Sequence, residues 1–143
     1  MFALEHRVRV FVFQVLEQET LYLLVRPKPA AEWPLGPVVG PLGLDEHLRD
    51  AVVRGVKEET GIARPLHIID LSQPRKELFG DIGLVEWSFA YQAGTPDRPI
   101  LDITPGPDID EIAWMGFEEA FERIETSQDR ENLVRLRWHL EAG

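Results

Sequence analysis

Polar and apolar positions alternate at the start of the chain and then cease to alternate. Arg7, Val8, Arg9 and Val10 give a period of two, and the run to Leu16 that follows is almost continuously apolar. This predicts one strand over 7–16 that becomes buried on both faces along its length. A polar turn at 17–20 leads to a second apolar run at 21–26, so the two are expected to lie side by side, as a hairpin or adjacent strands. The segment 27–41 carries five of the eleven prolines and two glycines, which excludes helix and predicts an ordered loop ending in a short apolar step at Val38-Val39. From 45 to 60 the period changes. Leu48, Ala51, Val52 and Val56 recur at spacings of three and four and form one apolar helical face. Asp45 is the expected N-cap and Gly61 the expected left-handed C-terminal cap. Strands are expected over 66–71 and 83–93, then a long loop rich in Pro, Gly and Asp over 94–108. A short strand over 111–115 and a helix over 117–123 follow. A last helix capped by Thr126 or Ser127 should run to about residue 139 and bury Leu133, Leu136 and Leu140. This order of elements predicts a mixed β-sheet flanked by helices, in one domain spanning 1–143.

Composition narrows the function classes. The net charge is −10, which on average repels a nucleic-acid backbone, so no nucleic-acid partner is expected. Part of that charge is available to hold divalent cations, which would in turn recruit an anionic ligand. With no cysteine, disulfides and thiolate metal sites are impossible, and a cytoplasmic location is the default expectation. No apolar run approaches the roughly 20 residues that a membrane span needs, and no signal peptide is apparent at the N-terminus. A homodimer is plausible by base rate alone.

The densest chemistry lies between 40 and 62. Gly40 is followed by five residues, then Glu46, seven residues, Arg54, one residue, and Val56-Lys57-Glu58-Glu59-Thr60-Gly61-Ile62. On a helix, positions 55, 58 and 59 share one face. Carboxylates there suit hard, oxygen-loving cations such as Mg²⁺ or Mn²⁺. Arg54 offers a planar fork that can hold a glutamate in place. A lone Glu-Glu pair is ordinarily a solvated helix face; here Gly40, Glu46, Arg54, Val56, Glu58, Glu59, Gly61 and Ile62 are all in register.

That register resembles the Nudix box, G-x5-E-x7-R-E-U-x-E-E-x-G-U with U an apolar residue. The likeness extends weakly from about residue 7 to 138. Leu23-Leu24-Val25-Arg26 is similar to the family strand before the box, Trp33 to the aromatic that opens the approach, and Glu111-Ile112-Ala113-Trp114 with Glu118-Glu119 to the late strand and helix. The resemblance implies a Nudix-type α/β/α sandwich that hydrolyses a nucleoside diphosphate linked to another moiety with Mg²⁺ or Mn²⁺. It implies Glu58, Glu59 and Glu46 at the metal, Arg54 in support, and Arg26, Trp33 and Gly40 at a small nucleotide-like diphosphate substrate.

The chain departs from the pattern at Gly55, where the family has a glutamate that is a frequent metal ligand and sometimes the catalytic base. The approach is about two residues longer than usual, Val39 replaces the first of paired glycines, and Gly43 replaces a common glutamate. A carboxylate from elsewhere can substitute for the missing one. Among Asp102, Asp108, Asp110 and Glu111, Asp108 is the best placed; Glu77 and Asp81 are less compelling. Lys28, Arg75 and Lys76 join Arg26 as candidate phosphate contacts, and Phe79 and Trp87 join Trp33 as candidate stacking surfaces. Two functions follow: a metal-dependent pyrophosphohydrolase weakened by Gly55, or a degenerate module that binds a nucleotide or metabolite without cleaving it.

Overall fold

The computed structural model describes residues 3–142. Strands β1 (Ala3–Val15), β2 (Thr20–Pro27), β3 (Val38–Pro41), β4 (His67–Asp70), β5 (Arg75–Phe79), β6 (Ile82–Gly94) and β7 (Ile109–Met115) form a mixed sheet. The helices are α1 (Leu48–Thr60), α2 (Phe117–Arg123) and α3 (Ser127–Ala142). The sheet order is β4-β6-β1-β2-β7, with β3 added to β1 and β5 to β6. The strand predicted to become doubly buried is the central one. Val8, Val10 and Val12 face the α1 side with Ala51, Val52 and Val56. Phe11 and Phe13 face the opposite side with Leu133 and Leu136 of α3 and Ala120 of α2. Helices thus cover both faces of a sheet whose middle strand is apolar in both directions, which is the predicted α/β/α sandwich.

One irregularity of this sheet positions the site. β6 runs parallel to β1 along one edge, from Ala3↔Ile82 to Gln14↔Gly94. The other edge of β1 is divided: residues 12–15 pair with β2, and residues 7–10 pair with β3. Past Leu23, β2 leaves β1 and continues beside β7. A single bridge, Val25 with Gly36, spans the split between β2 and β3.

The expected hairpin of β1 and β2 is present. The expected cap at Asp45 is not. Asp45 sits at φ 61°, and the Glu46 N–H donates to the Gly43 carbonyl in a tight turn. The chain is still turning at 45, so α1 starts three residues later than predicted, after His47. Gly61 does close the helix as expected, at φ 79°, with its N–H donating to Lys57 O. Strand β5, in a stretch that the sequence pattern left unassigned, exists because the first half of β6 offers it an edge, from Arg75↔Glu86 to Phe79↔Ile82. Thr126 caps α3 through its hydroxyl, which accepts from the Asp129 N–H at 3.3 Å. Among the described residues no helix is long and apolar enough to cross a membrane.

Candidate active site

The turn before α1 is held by one ion pair. Arg54, on the second turn of α1, donates from Nε to Glu46 Oε2 at 2.9 Å and from Nη2 to Glu46 Oε1 at 2.8 Å. The same Nη2 reaches the Pro41 carbonyl at 2.6 Å, and the Gly43 N–H donates to Glu46 Oε1 at 2.8 Å. The Arg54 hydrogen bonds, assisted by the Gly43 N–H, hold the Glu46 carboxyl at about 2, well below the usual carboxylate range. Both Glu46 oxygens are therefore engaged, and the fork expected of Arg54 clamps the loop 41–46 onto the helix. Arg54 Nη1 also lies 3.7 Å from Glu58 Oε2, which links the clamp to the next carboxylate.

At the other end of α1, Glu58 is exposed and Glu59 is partly buried. Burial, and then the negative charges of Glu58 and Asp108, push the Glu59 carboxyl up to about 7. Asp108 is brought there by the loop before β7. The Thr104 N–H donates to Thr60 O at 2.9 Å and the Gly106 N–H to Glu59 O at 3.0 Å, so the loop caps the last carbonyls of the helix. The Lys28 N–H then donates to Asp108 O at 2.8 Å and ties the loop to the end of β2. Gly106 is required by this approach. A Cβ at 106 would fall far inside contact distance of the Glu58 carbonyl oxygen, with the Glu59 Cα 3.3 Å away. Gly106→Ala is accordingly expected to cost about 1–3 kcal/mol by overpacking. It should also draw Asp108 away from Glu59, so that thermal melts and a pH titration of Glu59 change together.

Gly55 is buried against β3. A Cβ there would meet Val38 Cγ1 at 3.9 Å, an ordinary contact, and one on Gly40 would meet Gly55 Cα at 3.9 Å. Space is therefore present for a Cβ at 55. Among the described residues no group of three or more His, Asp or Glu side chains is gathered as a metal-binding cluster. The chemistry of the residues present nonetheless suits a hard divalent cation: Glu58 and Glu59 are adjacent oxygen donors, and Glu59, raised to about 7 by burial and by the negative charges of Glu58 and Asp108, would be relieved by a cation beside it.

Glu59 opens into a cavity of about 310 Å³ at the split between β2 and β3, lined also by Arg7, Arg9, Lys28, Trp33 and Asp129. Trp33 is 51% exposed. Arg26, expected at the substrate, is turned to Glu111 at 2.6 Å, with Arg123 on the other oxygen of that carboxylate at 3.1 Å. Arg75 pairs with Glu77. Phe79 is exposed on the β5–β6 hairpin and Trp87 packs against the core, so neither they nor Arg75 and Lys76 line this cavity. The floor was not anticipated. Arg9 donates from Nε and Nη2 to the two Asp129 oxygens at 3.0 and 2.5 Å, and from Nη1 to Glu86 Oε2 at 3.2 Å. Arg7 Nε reaches the same Glu86 oxygen at 2.7 Å. Two arginines alternating with valines on a central strand were the available signal, since a charge on a buried strand needs a partner.

Three solved structures share this architecture, each below 25% identity. A C. elegans Ap4A hydrolase in a binary complex superposes with a TM-score of 0.79 at 13% identity, covering 97% of this chain and 99% of that one. The Nudix domain of Shewanella oneidensis NrtR, complexed with ADP ribose, gives 0.76 at 16% identity, covering 98% and 90%. The E. coli dihydroneopterin triphosphate pyrophosphohydrolase gives 0.68 at 19% identity, covering 88% and 91%. No curated protein matches the sequence. The NUDIX domain family model matches residues 5–136. Nearly the whole chain is thus accounted for, from the central strand to the last helix, and the protein belongs to the Nudix family.

Proposed function

We propose that the protein is a divalent-metal-dependent pyrophosphohydrolase that cleaves a nucleoside diphosphate linked to another moiety. One observation carries this reading: Glu59, a carboxylate desolvated and crowded by Glu58 and Asp108, opens into a cavity that also holds Lys28, Arg7 and Trp33. Glu58 and Glu59 would hold Mg²⁺ or Mn²⁺, which when bound polarises phosphate oxygens and offsets the charge that develops in phosphoryl transfer. Glu46 and Arg54 keep the loop before α1 in place; with both its oxygens paired, Glu46 would support the metal-binding pair from beside it. Asp108 accepts the proton of the attacking water. Water adds at one phosphorus, the bridging P–O bond breaks, and the two phosphorylated fragments separate with release of a proton.

Gly55 favours a second reading, in which the cleft binds a nucleotide or metabolite without cleaving it. The site has one carboxylate fewer on the helix face than the box provides. The Nudix domain solved with ADP ribose belongs to a relative of the same fold. A panel of nucleoside triphosphates, nucleotide sugars and dinucleoside polyphosphates with Mg²⁺ or Mn²⁺ separates the two. Release of two phosphorylated products supports the enzyme. Binding with no turnover of any member supports the module.

A further inference from the structure

Strand β5 pairs with the first half of β6, and among the described residues no strand pairs with its outer edge. Such an edge is a template for a further strand. The hairpin turn fixes which backbone groups are free. Phe79 faces Ile82 across the two-residue turn Gly80-Asp81, whose first residue, Gly80, lies at φ 60°. The closing pair of such a turn is hydrogen-bonded, so Arg75, Glu77 and Phe79 direct their backbone groups to β6, and Lys76 and Leu78 direct theirs outward. The side chains around this edge are apolar. Leu78 is 72% exposed, Phe79 and Leu4 57% each, and Ile82 41%. The register sorts them by face. Leu78, Gly83 and Leu4 form one row on the α1 side; Phe79, Ile82 and Ala3 form the next row on the α3 side. Gly83 leaves a shallow cavity of about 490 Å³ between the two leucines, walled by Lys76 and Val85. None of the exposed apolar side chains lines the cavity at Glu59.

We infer that β5 pairs antiparallel with β5 of a second copy of the chain, about a twofold axis at Leu78, so that one sheet runs through a homodimer. The occupant is a second copy because the edge matches itself in this register. Leu78 lies opposite its own equivalent and exchanges two backbone hydrogen bonds with it. The row Leu4–Gly83–Leu78 continues into the same row reversed, which covers the exposed leucines. Arg75 lies opposite Asp81 at the hairpin tip of the second copy, and the reverse pair forms by symmetry. Glu77 lies opposite Phe79 of the second copy and keeps Arg75 of its own chain. No like charges face each other. An axis at Lys76 or at Glu77 would set two lysines or two glutamates face to face, which is unfavourable. The chain as a whole carries −10, yet residues 75–82 hold two cations and two anions. Two copies of an acidic chain therefore meet at a strip with no net charge. The pairing is independent of turnover: it holds whether the cleft cleaves its ligand or only binds it.

The test is sedimentation velocity of the whole chain over a range from about 1 to about 300 μM, wide enough to register a weak interface. The wild type is expected to pass from monomer to dimer mass as concentration rises. Leu78→Asp sets like charges together at the axis and should weaken association at least about tenfold, with little change in melting temperature because the side chain is exposed. Lys76→Pro keeps the apolar row but removes an outward N–H. It should weaken association as well, while β5 keeps its pairing with β6. Cross-linking reads the register, and the absence of native cysteine makes it specific. Under mild oxidation Leu78→Cys is expected to form a disulfide-linked dimer at least about tenfold faster than Leu44→Cys, at a loop residue that is more exposed but off this edge. A wild type that stays monomeric across the range overturns the proposal and leaves the edge to a strand of another protein. A dimer that both Leu78→Asp and Lys76→Pro leave intact, or equal cross-linking rates at positions 78 and 44, overturns it too.

Discussion

Glu59→Gln is expected to weaken Mn²⁺ binding by about 100-fold and to lower turnover of any pyrophosphate substrate by at least about 100-fold, while the fold becomes more stable without metal. The direction of the stability change follows from the proton. The Glu59 carboxyl lies at about 7 in the folded chain against an ordinary 4.5. Between those values the folded chain keeps a proton that the unfolded chain has lost. Stability therefore falls as pH rises from about 4.5 to 7, and is flat with respect to this group above that. After allowance for solvent screening of a partly exposed group, the loss is on the order of 1–2 kcal/mol. Glutamine has no such proton, so the metal-free variant should melt above wild type at pH 8 and equal it near pH 4. Metal and proton compete for the same carboxylate, so Mn²⁺ affinity of the wild type should climb steeply up to about pH 7. Mn²⁺ should raise the wild-type melting temperature at pH 8 and barely move that of the variant. If Glu59→Gln retains wild-type metal affinity and activity, Glu59 is not where the cation binds.

The complementary change adds a carboxylate. Gly55→Glu is expected to raise Mg²⁺ affinity about tenfold or more and turnover with it, because position 55 lies one turn before Glu58 and Glu59 on the same helix face. The position accepts a Cβ, since the nearest atom to one at 55 is 3.9 Å away. Gly55→Ala is the control. It should gain about 0.5–1 kcal/mol from helix propensity, a shift of a few degrees in melting temperature, with no change in metal affinity. Without metal, Gly55→Glu crowds a third negative charge onto the pair and should melt below Gly55→Ala; Mg²⁺ should close that gap. An unchanged Mg²⁺ titration for Gly55→Glu would mean that the cation sits elsewhere.

What the sequence revealed, and what it hid, divides by range. The face of α1, its Gly61 cap and the pairing of β1 with β2 depend on neighbours within a turn or a hairpin, and all were legible. That Arg54 would hold a glutamate was legible too; that the glutamate is Glu46 was not, because the turn at 43–46 that presents it is set by the chain before the helix. The start of α1 was misread because Asp45 is a good cap by type, while the tight turn from Gly43 and the demand of Arg54 for Glu46 decide where the helix begins. Strand β5, Arg75-Lys76-Glu77-Leu78-Phe79, carries little strand propensity of its own, and its conformation is imposed by the edge of β6. Arg26 fits the family strand by position, yet the β2–β7 register sets it opposite Glu111, which takes its charge. The cavity floor was out of reach for the same reason. Arg9 and Asp129 are 120 positions apart, and only the packing of α3 on the sheet brings them together.

The most direct measurement is a crystal grown with excess Mn²⁺ and a non-hydrolysable nucleoside diphosphate, with the ion located by its anomalous signal. The account predicts an ion about 2 Å from a carboxylate oxygen of Glu59, with Glu58 on the same ion and the diphosphate beside it in the cavity at the split between β2 and β3. An ordered Glu58–Glu59 pair facing bulk solvent, with no ion beside it and the nucleotide bound elsewhere, would contradict it.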